Sequence, residues 1–110
     1  MDLSDRLASD RAAAAAQLAA LLRDFGALVD ASEASNADDE HDPEGATIGF
    51  ERAQLSALIA QAHARVEDLD RAREQVSQGA YGVCEQCAGR IGDERLAARP
   101  SARRCITCAT

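Results

Sequence analysis

From residue 3 to residue 30 the apolar residues return at alternating intervals of four and three. Leu7, Ala14, Leu21 and Leu28 stand seven apart, and Leu18 and Phe25 fall four after Ala14 and Leu21. Residues seven apart come back to the same helix face, so this is the seam of a coiled coil. It predicts an amphipathic helix over residues 3–30, with Ser4 as N-cap and the carboxylate of Asp5 at the positive end of the helix dipole. Arg6, Asp10, Arg11, Arg23 and Asp24 fall mostly on the outer faces. Residues 12–16 are all alanine, a patch over which a second helix can come close.

The same spacing recurs over residues 47–77. Leu55, Ala62, Leu69 and Val76 repeat every seven, Ile59 and Val66 fall four after Leu55 and Ala62, and Arg73 completes the register as its one charged position. Thr47 is the expected N-cap and Gly79 the expected stop, since a glycine just past a helix accepts the left-handed backbone that ends it. Two matched seams joined by a connection predict an antiparallel coiled-coil helical hairpin. About thirty residues per arm, at 1.5 Å each, give roughly 45 Å of length. A hairpin that satisfies its own seam has little need of a partner helix, so a monomer is expected, the alternative being an intermolecular coiled coil with the same seam.

Residues 31–46, ASEASNADDEHDPEGA, interrupt the pattern. Six acids (Glu33, Asp38, Asp39, Glu40, Asp42, Glu44) stand there with no arginine, and Asn36, Pro43 and Gly45 supply turn chemistry. Such a run is either a solvated acidic connection or a carboxylate cluster able to approach a metal ion or a basic channel. His41 lies among these carboxylates, and His63 lies beside the second seam as an ordinary helix residue.

Composition narrows the architecture. Aromatic residues are 3% of the chain, with no Trp, which suits narrow helix seams and a small stapled domain better than a large core. The net charge of −7 is uneven: residues 1–78 carry sixteen acids and seven Arg, a balance of −9, and residues 79–110 carry three acids and five Arg, a balance of +2. An acidic chain without a basic stripe is poorly suited to gripping duplex DNA through its phosphates. No nucleophile–base pair, phosphate-cradling glycine loop or dinucleotide fingerprint is present, so an enzyme is not expected. The hydrophobic runs are expected to fall short of membrane-spanning length, and residues 1–11 alternate charges with apolar residues unlike a leader, which together predict a soluble, cytoplasmic protein.

All four cysteines lie in the last quarter, as two C-x-x-C pairs, Cys84 with Cys87 and Cys105 with Cys108, separated by 17 residues. That spacing is read as a four-cysteine zinc site. Each tight turn aims two thiolates at one ion, and a second turn closes the tetrahedron. Gly82, Gly89 and Gly92 stand where the turns call for positive φ or close approach. A redox dithiol would expect a βαβ surround, and paired disulfides would expect a secretory leader. Four thiolates leave no open position on the metal, so one structural Zn²⁺ is expected. The domains read as a helical hairpin over 1–78 and a four-cysteine zinc finger over 79–110.

The string GxYGxCxxCxxxIxxxRLxAxPxAxxCxxC, from Gly79 to Cys108, resembles the zinc finger of the DksA/TraR family. Tyr81, Gly82, Ile91, Arg95, Leu96, Ala98, Pro100 and Ala102 match it as well as the four ligands, and the preceding hairpin has the family's architecture. The resemblance implies a regulator that binds RNA polymerase directly, without recognising promoter DNA. Its coiled coil would enter the secondary channel and bring the acidic tip (Asp39, Asp42, Glu44 and Ala46) toward the catalytic centre, while the finger docks at the channel rim. Asp42 matches the family's first tip aspartate; Glu44 or Gly45 stands where the second is expected, and Ala46 aligns with the tip alanine after a one-residue deletion. Arg95 and Arg99 match positions that can contribute to ppGpp binding or contact the polymerase rim. Gln61, Ala64, Asp68 and Ala109 occupy sites where longer members present basic side chains, so ppGpp dependence is expected to be weak or absent. The alternative is a zinc-stapled protein–protein adaptor unrelated to the polymerase channel.

Overall fold

A computed structural model describes residues 2–35 and 43–109, the side chains of residues 35 and 43–45 excepted. The fold is mainly helical, an antiparallel coiled-coil hairpin followed by a small four-cysteine finger. Helix α1 spans Leu3–Ser35, α2 spans Pro43–Gln78, and a short α3 spans Asp93–Ala98. The chain divides into two compact units, Met1–Ala13 with Arg65–Thr110, and Ala14–Ala64.

In the first unit the opening turns of α1 pack with the last turns of α2 and the finger. Leu7, Leu69, Ala72, Cys84 and Ile91 are all buried, with exposures of 2% or less. The expected Ser4 cap is corrected by the structure. Asp2 lies ahead of the helix, where its Oδ1 accepts the N–H of Asp5 at 2.8 Å and its carbonyl accepts that of Arg6 at 2.9 Å. Asp is as good a cap as Ser, and it occupies the position that has non-helical backbone. Arg11 donates to Asp70 from Nε at 3.0 Å, tying α1 to α2 with a half-exposed pair of modest value, about 0.2–1 kcal/mol.

The second seam drifts at its end. Arg73 is exposed and Ala72 is buried in its place, so the buried face runs Leu69, Ala72, Val76, with Val76 half-buried. A seven-residue repeat on a helix of 3.6 residues per turn rotates by about 20° per heptad, which moves the contact line off its starting positions. The small side chain then faces the packing and the guanidinium stays in water. Gly79 ends α2 as expected. Its φ is +73°, its N–H reaches the Val76 carbonyl at 3.2 Å, and the Ala80 N–H reaches that of Gln75 at 2.9 Å. That pair of bonds is the Schellman motif, which satisfies carbonyls the helix leaves unpaired.

In the second unit burial is shallower. Ala14, Ala62 and Ser32 are buried, while Leu18, Leu21, Phe25, Leu28, Leu55 and Ile59 are half-buried. Both helices are longer here than the pattern indicated: α1 continues to Ser35, and α2 begins at Pro43 in place of Thr47. Proline suits the first helical position because its missing N–H would have had no partner there. The expectation that no run reaches membrane-spanning length is also corrected. Within α1, Leu3–Ala34 holds a window long and apolar enough by length and composition alone. Much of that window's apolar character comes from alanine, whose side chain carries little apolar area to bury.

Candidate metal centre

The finger begins where α2 ends. Gly82 and Ile91 pair through an N–H···O bond of 2.8 Å, Val83 bridges Arg90 in antiparallel sense, and the Cys84 N–H meets the Gly89 carbonyl at 2.8 Å. This small hairpin turns through Cys84, Cys87 and Ala88. Ala88 holds φ +62°, a left-handed conformation uncommon outside glycine. Of the three glycines expected to serve the turns, Gly82 has φ +87°, and a Cβ on Gly89 would come within 3.4 Å of the Cys87 sulfur. Gly92 does neither, with φ −60° and open space around it, so that expectation is corrected: it is the residue before α3. The second turn closes by Cys108 and Ala109 N–H groups on the Cys105 carbonyl, at 3.1 and 2.9 Å.

The two turns bring all four cysteine sulfurs within 4.8 Å of one another, and those of Cys87 and Cys105 are 3.8 Å apart. Four sulfurs at 2.3 Å from one ion have tetrahedral edges of about 3.8 Å. All four are free thiols, and no disulfide competes for them. The set therefore fits one structural zinc ion, held by Cys84, Cys87, Cys105 and Cys108. Cys84 is buried, Cys105 and Cys108 are half-buried and Cys87 is exposed.

The thiols are not equivalent. Backbone N–H groups of Cys87 and Cys105 stabilise the Cys84 thiolate and bring its pKa down to about 6. The backbone of Cys108 lowers that of Cys105. Cys108, whose thiol is hydrogen-bonded to the Cys105 sulfur, is pushed up to about 12. Four interacting thiols shed protons in steps that belong to the group. A bound divalent zinc supplies the charge that keeps all four ionised at once.

Beneath the cysteines, Ile91 is buried, Leu96 packs 3.4 Å from where a Cβ on Gly82 would lie, and the Tyr81 hydroxyl donates to the Pro100 carbonyl at 2.7 Å. Burial raises the pKa of Tyr81, so the phenol remains a donor. Helix α3 was not read from the sequence. Its signals are Asp93 and Glu94 in the first turn and good helix formers after them, with Pro100 two residues past its end, and six helical residues are too few to show a period.

Arg95 is half-buried and donates from Nε to the Arg104 carbonyl at 2.7 Å, while Arg99 is exposed. A second group of charges surrounds Glu85. Its carboxylate accepts Arg103 Nε at 2.8 Å and lies 3.5 Å from Arg104 Nε, and Arg103 holds the Glu85 carboxyl below its usual range. Asp39 and Asp42 lie outside the described residues, as does the side chain of Glu44; Ala46 is exposed near the start of α2.

Residues 79–110 match the prokaryotic dksA/traR C4-type zinc finger. Among curated proteins, an uncharacterized protein of Aquifex aeolicus (strain VF5) is 41% identical over 46 residues, covering 42% of this chain and 32% of that protein. The RNA polymerase-binding transcription factor DksA of Escherichia coli (strain K12) is 38% identical over 45 residues, covering 41% of this chain and 30% of that factor. The chain thus spans about a third of the length of the curated relatives it matches. The structure of transcription factor DksA2 from Pseudomonas aeruginosa aligns over 97% of this chain and 77% of its own, with a TM-score of 0.75 and 25% sequence identity. The finger and the helices point the same way: residues 79–110 match the dksA/traR finger, and the fold over nearly the whole chain is similar to that of DksA2.

Proposed function

We propose that the chain is a transcription regulator of the DksA type, acting in the cytoplasm by binding RNA polymerase at its secondary channel, without recognising a DNA sequence. The observation that carries this reading is the likeness to DksA2, which runs over 97% of the chain and so includes the hairpin as well as the finger. In this reading residues 1–78 are the inserted hairpin and residues 79–110 the zinc finger that docks at the rim. The carboxylates of Asp39, Asp42 and Glu44, with Ala46, act at the tip near the polymerase catalytic centre. The protein works as a monomer and catalyses nothing itself.

Dependence on ppGpp is weak in this reading. A nucleotide with so many phosphates needs several unpaired cations. Arg95 already donates to a backbone carbonyl, and Asp68 brings a negative charge to α2 where a cation would be required. Arg99 remains as an exposed guanidinium able to contact the polymerase rim.

The test is binding of the zinc-loaded protein to core RNA polymerase with a Gre-type secondary-channel factor as competitor. Mutually exclusive binding is expected. Asp42→Ala should then change transcription from a responsive promoter while leaving that binding intact. No binding at micromolar concentrations would overturn the reading and leave the chain a zinc-stapled adaptor for another protein.

A further inference from the structure

The segment that delivers the second cysteine pair, residues 100–104, has no regular secondary structure, yet it is held at every step. The Pro100 carbonyl accepts the Tyr81 hydroxyl at 2.7 Å, and the Ser101 carbonyl accepts Arg71 from α2 at 3.5 Å. Arg103 reaches two carboxylates at once, Glu85 through Nε at 2.8 Å and Asp68 on α2 through a terminal nitrogen at 3.6 Å. Its own carbonyl accepts the Glu85 N–H at 2.9 Å. The Arg104 carbonyl accepts Arg95 at 2.7 Å. Asp68 in turn holds Arg71 at 2.9 Å. Glu85 follows Cys84 directly, and Arg103 is two residues before Cys105. One guanidinium therefore ties the first cysteine turn, the second cysteine turn and helix α2 together.

We propose that Asp68 and Arg71 on α2 are positioning residues for the metal centre. Through Arg103 and the Ser101 carbonyl they hold the 100–104 segment so that Cys105 and Cys108 face Cys84 and Cys87. Retention of zinc is thereby coupled to docking of the finger on α2. The coupling is reciprocal, because a contact that strengthens metal binding is strengthened by the metal in equal measure. Neither residue touches a cysteine, and neither is needed for the helix, since the Asp68–Arg71 pair is a partly exposed neighbour pair of modest intrinsic value. Their weight lies in what they restrain. A segment without helix or strand has many conformations to lose, and side-chain tethers are what limit them.

The test measures zinc release from the full-length, zinc-loaded protein to a chromogenic chelator. Asp68→Asn keeps the side chain's size and removes its charge. Each exposed ion pair corresponds to about a 1.4- to 5-fold effect, and Asp68 takes part in two, so release is expected to accelerate by about 2- to 25-fold. The control is Asp70→Asn, two residues further along the same helix and paired with Arg11 instead, which should release zinc at the parent rate. The difference between the two variants should shrink at high salt, where the screening length is only about 3 Å at 1 M. Asp68→Asn combined with Arg103→Gln should accelerate release by less than the product of the single effects. Should Asp68→Asn alter the helical circular dichroism, Arg71→Gln gives the same readout through the Ser101 contact. Equal release rates for the Asp68 and Asp70 variants, or a fully multiplicative double variant, would overturn the proposal.

Discussion

The two compact units of this chain are held together in different ways. The unit Ala14–Ala64 is a pair of helices, and among its described residues the only buried hydrophobic side chains are Ala14 and Ala62. Its larger apolar residues line the seam half-exposed, and Phe50 is left 72% exposed on the outside. The unit that gathers Met1–Ala13 and Arg65–Thr110 buries Leu7, Leu69, Ala72, Cys84 and Ile91. The difference lies in the number of layers. In the first unit named, two helices share a single seam whose edges stay in contact with water, whereas in the other a third element is tied to α2 through Arg71–Ser101 and Arg103–Asp68. The finger is that element, and at this size it depends on metal where a larger domain would depend on core volume.

Removing zinc is the change that should separate the two units most. Structural zinc contributes about 10–16 kcal/mol of binding free energy to small sites of this kind. Chelation is expected to abolish amide-exchange protection at Cys84 and Ile91, whose N–H groups are bonded within the finger. Residues 14–35 and 43–64 should keep most of their helical signal. Loss of both signals in one transition would mean that the second unit also depends on the metal.

A packing variant sharpens the same contrast. Leu69 is 1% exposed and Leu22 is 51% exposed, so truncating each to alanine compares a closed layer with an open one. Leu69→Ala should cost about 2–5 kcal/mol. Leu22→Ala should stay within about 0.5 kcal/mol, as read by denaturant unfolding of the zinc-loaded protein. Similar costs at the two positions would show that the second unit buries Leu22 against something else in solution.

Gly79 tests the joint between α2 and the finger. A Cβ there meets nothing within 4 Å, so the cost of Gly79→Ala is that of a left-handed alanine alone, about 1–2 kcal/mol. Unfolding midpoints at constant zinc would check it, and an unchanged midpoint would mean the turn relaxes freely.

The smallest effect is electrostatic. Arg103 holds Glu85 below its ordinary value, so that contribution is complete above the ordinary carboxylate pKa and fades as pH falls through the lower folded-state value. Stability of the parent and of Glu85→Gln should therefore differ near neutral pH and converge in acid. Parallel curves down to the lowest accessible pH would show that the pair contributes nothing.

Much of this was legible because it depends on local pattern. The seams of Leu7, Leu21, Leu55 and Leu69 announced two helices, and the spacing of Cys84, Cys87, Cys105 and Cys108 announced the metal centre. Gly79 stopped α2 for a reason visible in the sequence, since only the backbone of a glycine takes φ +73° without strain. The misreadings also have physical causes. Asp2 and Ser4 are both good caps, and the choice depends on which one lies ahead of the helical turn. Arg73 fitted a strict repeat that a real helix does not keep over its whole length.

By itself, then, the sequence determined the two helical seams, the four metal ligands and the acidic character of the segment between the helices, because each rests on residue type and spacing alone. Tertiary structure decided the rest. It placed Ala72 inward and Arg73 outward, set Arg95 on a carbonyl, and joined Asp68, Arg71, Glu85 and Arg103 across 36 positions of chain into one ionic network. Charges on a sequence carry no indication of which opposite charge they will meet. That is fixed only when packing brings distant backbone segments to within a few ångströms.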